Sequence, residues 1–158
     1  MKISIIIPAY NEEKRILHTL EKYYTFFKEK FQDNFEIIVV PNNCSDHTFN
    51  IVKQFSMNHP QTKVFNLPNY SGKGGAVMKG FELAIGDYIG FTDADNSTNP
   101  ENFYNLYTHI ENSSGIIGSR KIKGAVVNPK RKLTQNISSF LFNKLIRILF
   151  GLKFLDTQ

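Results

Sequence analysis

Two aspartates separated by one residue, Asp93 and Asp95, form the pattern with the clearest chemical meaning in this sequence. Two carboxylates this close repel each other unless a proton or a cation lies between them. Mg²⁺ and Mn²⁺ often join one or two protein carboxylates to substrate phosphates, so one interpretation is a metal site. The other is an acidic turn in which Asp93 or Asn96 only caps the next helix. The triplet alone favours the turn, whereas its position after the apolar run 88–92 favours the metal.

Two further segments carry groups suited to a nucleotide. Pro8-Ala9-Tyr10-Asn11-Glu12 follows the first apolar run, where a strand-to-helix turn can present backbone groups and a carboxylate to a base or ribose. The glycine-rich loop 69–75 contains Lys73, and glycines let a backbone approach a ligand whose phosphate charge a lysine can neutralise. Its spacing is not that of a P-loop. An ordinary helix start and a flexible surface loop are the structural alternatives for these two segments.

The elements that must position these groups alternate along the chain. Short apolar runs predict five strands, at residues 3–7, 35–40, 63–67, 88–92 and 116–119, the first, second and fourth of them buried. Amphipathic segments predict helices from a cap at Asn11 to about residue 31, after a cap at Ser45 or Asp46, and over residues 76–85, 100–112 and 133–150. The order is therefore strand, helix, strand, repeated to a fifth strand, a basic loop and a last helix.

Apolar strands that alternate with helices predict an α/β fold with a mostly parallel central sheet covered on both faces. Right-handed crossovers bring the strand ends, at Pro8, Pro41, Leu67 and Asp93, to one edge of that sheet. Ligands of open α/β sheets bind at this carboxyl edge. We therefore expect the functional site there.

The composition narrows the class of protein. The chain has 158 residues, enough for one domain with a core and too few for two ordinary domains. The single cysteine, Cys44, excludes an intrachain disulfide, and the four histidines suggest no zinc cluster. No stretch reaches the roughly 20 apolar residues of a membrane span. The first apolar run stops at Pro8 without a small-residue cleavage site, so we expect no secretory signal.

Positive charge is concentrated in the C-terminal part of the chain. The segment 119–153 has no acidic residue and contains nine basic ones, namely Arg120, Lys121, Lys123, Lys130, Arg131, Lys132, Lys144, Arg147 and Lys153. Because the whole chain has a net charge of +5, the remaining residues sum to −4. This asymmetry predicts an anionic partner for the segment: a phosphate, a membrane or a nucleic acid. The basic residues lack the interleaved aromatics of common single-strand binders, so we expect no nucleic acid.

Several motifs in register resemble one enzyme family. They are residues 4–13 (SIIIPAYNEE), 36–40 (EIIVV) with Ser45-Asp46-His47-Thr48, Gly72-Lys73-Gly74-Gly75-Ala76, Asp93-Ala94-Asp95, Gly118-Ser119-Arg120 and Asp156-Thr157-Gln158. Together they are similar to the family-2 glycosyltransferases with the GT-A fold, a Rossmann-like three-layer sandwich. Within that family they resemble the polyprenyl-phosphate (dolichyl-phosphate) hexose synthases.

The resemblance implies an inverting transfer of a hexose from a nucleotide sugar, UDP-glucose first and GDP-mannose second, to a polyprenyl phosphate. Pro8, Ala9, Tyr10 and Glu12 would hold the nucleoside with help from Asn42. Lys73 and Asp93 would lie at the nucleotide, and Asp93 and Asp95 would carry Mg²⁺ or Mn²⁺. The implied catalytic residues are Asp93, Asp95, Arg120 and Asp156, and the implied acceptor-phosphate residues are Arg131, Lys132 and Ser139.

We expect one domain, made of a nucleotide-sugar-binding core at 1–120 and a basic acceptor loop and amphipathic helix at 121–158. The resemblance favours a helix that lies in a membrane interface, although the pattern alone favours an ordinary core helix. These expectations place the protein in the cytoplasm, peripheral to the cytosolic face of a membrane, and the chain is expected to be truncated at its C-terminus.

The sequence also departs from the family. Pro41-Asn42-Asn43-Cys44 stands where the family usually has Asp-Asp-Gly-Ser, which leaves the identity of the base open. Ser97 stands where some relatives have a third group beside the metal. Two alternative functions stay open: transfer to a saccharide or protein acceptor, and a non-catalytic module that binds a nucleotide.

Overall fold

Four parallel strands form the centre of the part that this computed structural model describes, residues 1–69, 71–110 and 113–119. The strands are β1 (Ile3–Ala9), β2 (Phe35–Pro41), β3 (Thr62–Val64) and β4 (Tyr88–Phe91), in the order β3-β2-β1-β4. The central pair is in register over its whole length, from Ile3 opposite Phe35 to Ala9 opposite Pro41. The chain divides into two units, Met1–Glu111 and Asn112–Gln158, and the sheet belongs to the first.

A helix follows each strand, as parallel pairing requires. The helices are α1 (Ile16–Phe31), α2 (Thr48–Asn58), α3 (Gly72–Leu83) and α4 (Pro100–Thr108). No helix among the described residues combines the length and the apolar character that crossing a membrane requires.

The two faces of the sheet are covered by different helices. Alternate side chains of β1 and β2, such as Ile5 and Ile37, pack with residues of α1, α2 and α4. The side chains between them, such as Ile6 and Ile38, pack with Ala76 of α3. Strand side chains alternate between faces, so two adjacent apolar strands supply both cores. The α/β class and the three-layer arrangement are thus confirmed, and the described sheet is entirely parallel.

A buried carboxylate joins the amino ends of the strands. Glu36 Oε1 accepts hydrogen bonds from Ser4 Oγ (2.6 Å) and from the N–H of Ile85 (2.8 Å), and Lys63 Nζ lies 2.7 Å from Oε2. The N–H of Gly86 in turn donates to Ser4 Oγ at 2.9 Å. This network ties β1, β2 and β3 to the connection between α3 and β4.

Several predicted boundaries were wrong near the carboxyl edge. α1 begins at Ile16, because Asn11 takes a left-handed φ of 54° and its side chain accepts from the N–H of Ser45 at 2.9 Å. α3 begins at Gly72 rather than at residue 76, so most of the predicted glycine-rich loop is the first turn of a helix. β3 is shorter than predicted, although Leu67 still pairs with Asn42.

Other predictions at helix ends had mixed outcomes. The cap predicted at Ser45 or Asp46 is wrong, because the capping residue of α2 is His47, whose side chain makes no capping hydrogen bond. Asp46 lies one residue earlier, and its Oδ1 accepts from the N–H of Thr48 at 3.0 Å. Pro100 is in the first turn of α4, as predicted, behind the capping residue Asn99, but α4 ends at Thr108 rather than at residue 112.

The strands at the C-terminal side also differ from prediction. β4 was predicted to be buried, but Ile89 and Phe91 are 42% and 49% exposed. β4 is the last strand in the described order, and the apolar cluster that α3 forms with β1 and β2 includes neither side chain. The predicted strand at 116–119 is wrong: these residues form no strand, and Ile116 and Ile117 remain exposed. An apolar run becomes a strand only where it finds a partner and a surface to pack on. The predicted helix at 133–150 lies outside the described residues.

Candidate active site

A cleft of about 380 Å³ opens at the carboxyl edge of the sheet. It is lined by the last residues of β1, by residues that follow β1, β2 and β4, and by the start of α3, namely Pro8, Ala9, Tyr10, Glu12, Asn42, Lys73, Ala76, Asp93, Ala94 and Asp95. Every residue predicted to hold the nucleotide or the metal is in this set. The structure therefore brings together groups that are up to 87 positions apart in the sequence, from Pro8 to Asp95, and their roles remain predictions.

The first aspartate of the triplet is paired with the lysine of α3. Lys73 Nζ lies 2.5 Å from Asp93 Oδ1, and both side chains are about half exposed. The first turn of α3 places Lys73 over the end of β4, where its ammonium balances the carboxylate. An anionic ligand in the cleft would meet this ammonium beside the two aspartates.

The second aspartate is held by its own turn and by an arginine. Asp95 Oδ1 accepts from the N–H of Ser97 at 2.9 Å, and Oδ2 lies 3.9 Å from Arg15 Nη1. Burial works against the charge of Asp95, but the hydrogen bonds from Ser97 and the Arg15 guanidinium outweigh it and hold the pKa of this carboxyl below its usual value. Asp95 is therefore ionised at neutral pH, as a metal ligand must be.

Arg15 is a site residue that the sequence analysis missed. Its Nη2 lies 2.7 Å from Glu12 Oε2, so one guanidinium faces both Glu12 of the first turn and Asp95 of the triplet. Glu12 Oε2 is buried and forms an ion pair with Arg15, but the geometry of this contact is not that of a hydrogen bond. The spacing of Glu12 and Arg15, three residues apart, was the available signal, but it indicated only a helical ion pair.

The turn that follows β1 is hydrogen-bonded to the turn that follows β2. The N–H of Glu12 donates to Thr48 Oγ1 at 2.7 Å, and the N–H of Glu13 donates to Asp46 Oδ2 at 3.0 Å. Cys44 Sγ lies 3.5 Å from the carbonyl oxygen of Ala9, at the same junction. These contacts explain the motif around Asp46 and Thr48, because it holds the turn that contains Glu12 and Glu13 in place.

Asn42 lies at the bottom of the cleft and is 2% exposed. Its Oδ1 accepts from the N–H of Ser71 at 3.1 Å and from Ser71 Oγ at 3.3 Å, and its Nδ2 donates to the carbonyl oxygen of Gly72 at 3.0 Å. Both ends of the side-chain amide are thus engaged with the start of α3.

The donor set fits a hard divalent cation that is shared with a phosphate. Asp93 and Asp95 offer carboxylate oxygens at one rim of the cleft, and the buried Asn96 Oδ1 beside them has no hydrogen-bond partner. No group of three or more His, Cys, Asp or Glu side chains able to hold a metal occurs among the described residues. Two carboxylates completed by water and substrate phosphates are what Mg²⁺ typically uses. The remaining predicted residues, Arg120, Arg131, Lys132, Ser139 and Asp156, lie outside the described part.

Nearly the whole sequence matches a known family. The profile described as "Glycosyl transferase family 2" matches residues 4–157. The chain belongs to glycosyl transferase family 2. The resemblance read from the motifs is therefore confirmed.

Two curated members of family 2 illustrate the similarity. The dolichyl-phosphate beta-glucosyltransferase of Saccharomyces cerevisiae is 34% identical over 99% of this chain and 52% of its own length. The dolichol-phosphate mannosyltransferase of Pyrococcus furiosus is 37% identical over 80% of this chain and 35% of its own length. The chain thus spans about half the length, or less, of these relatives.

Solved structures of GT-A glycosyltransferases share the fold. Staphylococcus aureus TarS in complex with UDP has a TM-score of 0.60 and 28% identity, over 78% of this chain and 40% of that one. The mannosyltransferase PcManGT from Pyrobaculum calidifontis, in complex with GDP-Man and Mn²⁺, has a TM-score of 0.62 over 71% of this chain and 33% of that one. At 23% identity the second similarity concerns the fold alone. The predicted GT-A fold is confirmed.

Proposed function

We propose that this chain carries the donor site of an inverting glycosyltransferase that moves a hexose from a nucleotide sugar to a polyprenyl phosphate. The observation that carries the proposal is the cleft at the carboxyl edge, where Asp93, Asp95 and Lys73 lie beside the turn Pro8–Glu12. Carboxylates for a metal, an ammonium for phosphate and a turn for a nucleoside are the groups that a nucleotide sugar requires. UDP-glucose is the first candidate donor and GDP-mannose the second.

In this proposal, different described residues contact different parts of the nucleotide sugar. Pro8, Ala9, Tyr10 and Glu12 line the side of the cleft that we assign to the nucleoside. Asp93 and Asp95 would hold Mg²⁺ or Mn²⁺, which when bound supplies Lewis-acid stabilisation of the leaving diphosphate. The Lys73 ammonium adds a positive charge on the same side. Placing fixed positive charge where negative charge develops in the transition state is the main task of such a site.

The acceptor we propose is a lipid phosphate, because it needs little help from a base. A phosphate monoester is already anionic at neutral pH, whereas a sugar hydroxyl must lose a proton to attack. The segment 119–153 has nine basic residues and no acidic one, which suits an anionic acceptor and the surface of a membrane. In this proposal Arg120, Arg131, Lys132 and Ser139 contact phosphate, Asp156 orients the acceptor or sugar, and the protein works at the cytosolic face of a membrane.

Transfer of labelled hexose tests the proposed function directly. UDP-glucose and GDP-mannose would each be incubated with the protein, Mn²⁺ or Mg²⁺, and either dolichyl phosphate in detergent or a saccharide or protein acceptor. We expect organic-soluble product from the lipid phosphate with one of the two donors. Product only with a saccharide or protein acceptor would refute the lipid acceptor. Absence of both transfer and metal-dependent donor binding would refute the enzyme itself.

The metal site has a separate test by calorimetry. We expect the double substitution Asp93→Asn/Asp95→Asn to abolish Mn²⁺-dependent binding of UDP or GDP, because it removes both carboxylates. The control is Asp33→Asn, which removes a carboxylate that is 74% exposed and follows α1, before β2. Unchanged metal-dependent binding in the double variant would exclude these aspartates as the ligands.

A further inference from the structure

We infer that Asn42 is a positioning residue that sets the start of α3, and through it Lys73, for the diphosphate rather than reading the base. The inference rests on the proposed donor site and concerns the position where this sequence departs from the acidic motif usual in its family. It starts from a contact that the sequence does not reveal. Both ends of the Asn42 amide bond to backbone groups at the start of α3, namely the N–H of its capping residue Ser71 and the carbonyl oxygen of Gly72.

The backbone of Asn42 is fixed to the sheet on both sides. Its N–H donates to the carbonyl oxygen of Ala9 at 2.9 Å, and it pairs with Leu67 in a parallel bridge. The N–H of the next residue, Asn43, donates to the carbonyl oxygen of Leu67 at 2.7 Å. Asn42 is therefore a rigid point between the end of β1 and the chain that follows β3.

The Asn42 side chain connects this fixed point to the start of α3 through two hydrogen bonds. The amide oxygen accepts from the N–H of Ser71, and the amide nitrogen donates to the carbonyl oxygen of Gly72, so the contact needs one acceptor and one donor at the same time. A buried amide satisfies both, whereas an ionised carboxylate can only accept. At 3.0 Å from the Gly72 carbonyl oxygen a carboxylate would replace a hydrogen bond by repulsion between two oxygens.

What α3 positions is Lys73, directly after Gly72. Gly72 has a φ of +70°, a left-handed conformation that glycine adopts at little cost, so the direction of the first turn depends on the contacts that hold it. That turn sets Lys73 Nζ 2.5 Å from Asp93 Oδ1. The sheet therefore fixes Asn42, the Asn42 amide fixes the start of α3, and the start of α3 places Lys73 beside Asp93.

Asn42 is poorly placed to discriminate bases while these bonds persist. Its oxygen already accepts twice from Ser71, and one of its two amide hydrogens is used by Gly72. Replacing Asn42 should weaken every nucleoside diphosphate alike and leave the preference between bases unchanged. A base reader would behave in the opposite way.

Asn42→Asp tests this distinction, and Asn43→Asp is the matched control. Both add one negative charge at neighbouring positions, but Asn43 is exposed and, with a φ of 55°, lies in a region that aspartate also tolerates. Calorimetry with Mn²⁺ would compare UDP, GDP and uridine. We expect Asn42→Asp to lower UDP and GDP affinity by an equal factor of about ten, the equivalent of one buried hydrogen bond, and to leave uridine unaffected. A change in the ratio of UDP to GDP affinity would overturn the inference.

A double-mutant cycle tests the route through Lys73. If Asn42 acts by positioning Lys73, then Asn42→Asp should cost little further UDP affinity in a Lys73→Met background. Additive losses would show that Asn42 acts in another way. Asn42→Ala replaces the aspartate in both experiments if thermal unfolding shows that Asn42→Asp does not fold.

Hydrogen exchange gives a readout without nucleotide. We expect faster amide exchange in peptides that cover residues 71–76 in Asn42→Asp than in Asn43→Asp, because the Ser71 N–H and the first turn of α3 lose their anchor. Equal exchange in both variants would overturn the inference whatever the nucleotide does. If the wild-type chain binds neither UDP nor GDP with Mn²⁺, the proposed donor site fails and the inferred role of Asn42 fails with it. The exchange experiment would then show only whether Asn42 holds the start of α3 in place.

Discussion

At the scale of single residues, the ion pair between Lys73 and Asp93 shows how negative charge in the cleft is balanced. Two aspartates that face one cleft need a compensating cation, and the chain supplies one from α3 and a second from Arg15. A divalent ion on the aspartates would compete with Lys73 for Asp93. A diphosphate that arrives with the ion gives the lysine a new anionic partner, so metal and nucleotide should favour each other's binding.

Lys73→Met tests this balance of charge. We expect UDP affinity in the presence of Mn²⁺ to fall about tenfold to a hundredfold, because a charge-assisted contact to phosphate is lost. Mn²⁺ alone should bind at least as well as it binds the wild type, since its competitor for Asp93 is gone. Electron paramagnetic resonance of free Mn²⁺ measures the second quantity and calorimetry the first.

The control for that substitution is Lys79→Met on the same helix. Lys79 pairs with Glu82 at 2.8 Å and lies over the ring of Phe65, and it does not line the cleft. This variant should bind both Mn²⁺ and UDP normally. A loss of Mn²⁺ affinity in Lys73→Met would contradict the idea that the lysine and the metal compete.

The residues of the site were predictable from sequence to the extent that they stand at strand ends. The aspartates and Tyr10 follow apolar runs, and Lys73 lies within a glycine-rich segment after another run. Parallel strands bring such positions to one edge. Arg15 was not predictable as a site residue, and neither was the engagement of Asn42 by α3. Those facts depend on contacts between segments distant in sequence, which neither periodicity nor spacing encodes.

At the scale of elements, α3 shows how packing overrides local propensity. Three glycines in residues 72–75 argue against a helix, because glycine lowers helix stability by about 1 kcal/mol relative to alanine. The helix forms there because Ala76 packs on β1 and β2 and Asn42 holds its first turn. The strand order β3-β2-β1-β4 is likewise a product of packing, since alternation predicted a parallel sheet but not which strands are neighbours.

Gly80→Ala tests how closely α3 lies against the sheet. A Cβ on Gly80 would overlap Ile6 Cγ2 on the central strand, and neither backbone can move without disturbing the parallel pairing. We expect the variant to lose about 1–3 kcal/mol of unfolding free energy, the usual cost of overpacking a core. Urea denaturation measures the loss.

Gly74→Ala is the comparison for Gly80→Ala in the same helix. A Cβ there meets nothing within 4 Å, so the substitution reports helix propensity without a clash. We expect a gain of about 0.5–1 kcal/mol in unfolding free energy. If both alanines changed stability by the same amount and sign, close packing of α3 on β1 would not be what determines its position.

At the scale of the whole molecule, the proposed donor site and the most buried charged network lie at opposite ends of the sheet in the part of the chain that the structure describes. The carboxyl ends of the strands carry an open cleft with exposed charges, whereas the amino ends are closed by the network around Glu36. An exposed charged site contributes little to folding, because surface ion pairs are worth about 0–1 kcal/mol. Among the described residues, the buried carboxylate of Glu36, which joins three strands and the connection before β4, is therefore the charged group whose loss should matter most for folding.

Glu36→Gln tests that role through its dependence on pH. Burial works against the charge of Glu36, but Lys63, Ser4 and the N–H of Ile85 outweigh it and keep its pKa below the usual glutamate value. A carboxyl with a depressed folded-state pKa stabilises the fold above its unfolded pKa of about 4.3, and that contribution is lost as pH falls through the folded value. We expect Glu36→Gln to be less stable than the wild type at pH 7 and the difference in unfolding free energy to shrink steadily below about pH 4 in urea denaturation.

Glu29→Gln, which changes a side chain that is 73% exposed, should follow the wild type at every pH. A gap for Glu36→Gln that stays constant from pH 7 to below pH 4 would mean that its effect comes from packing rather than from the charge.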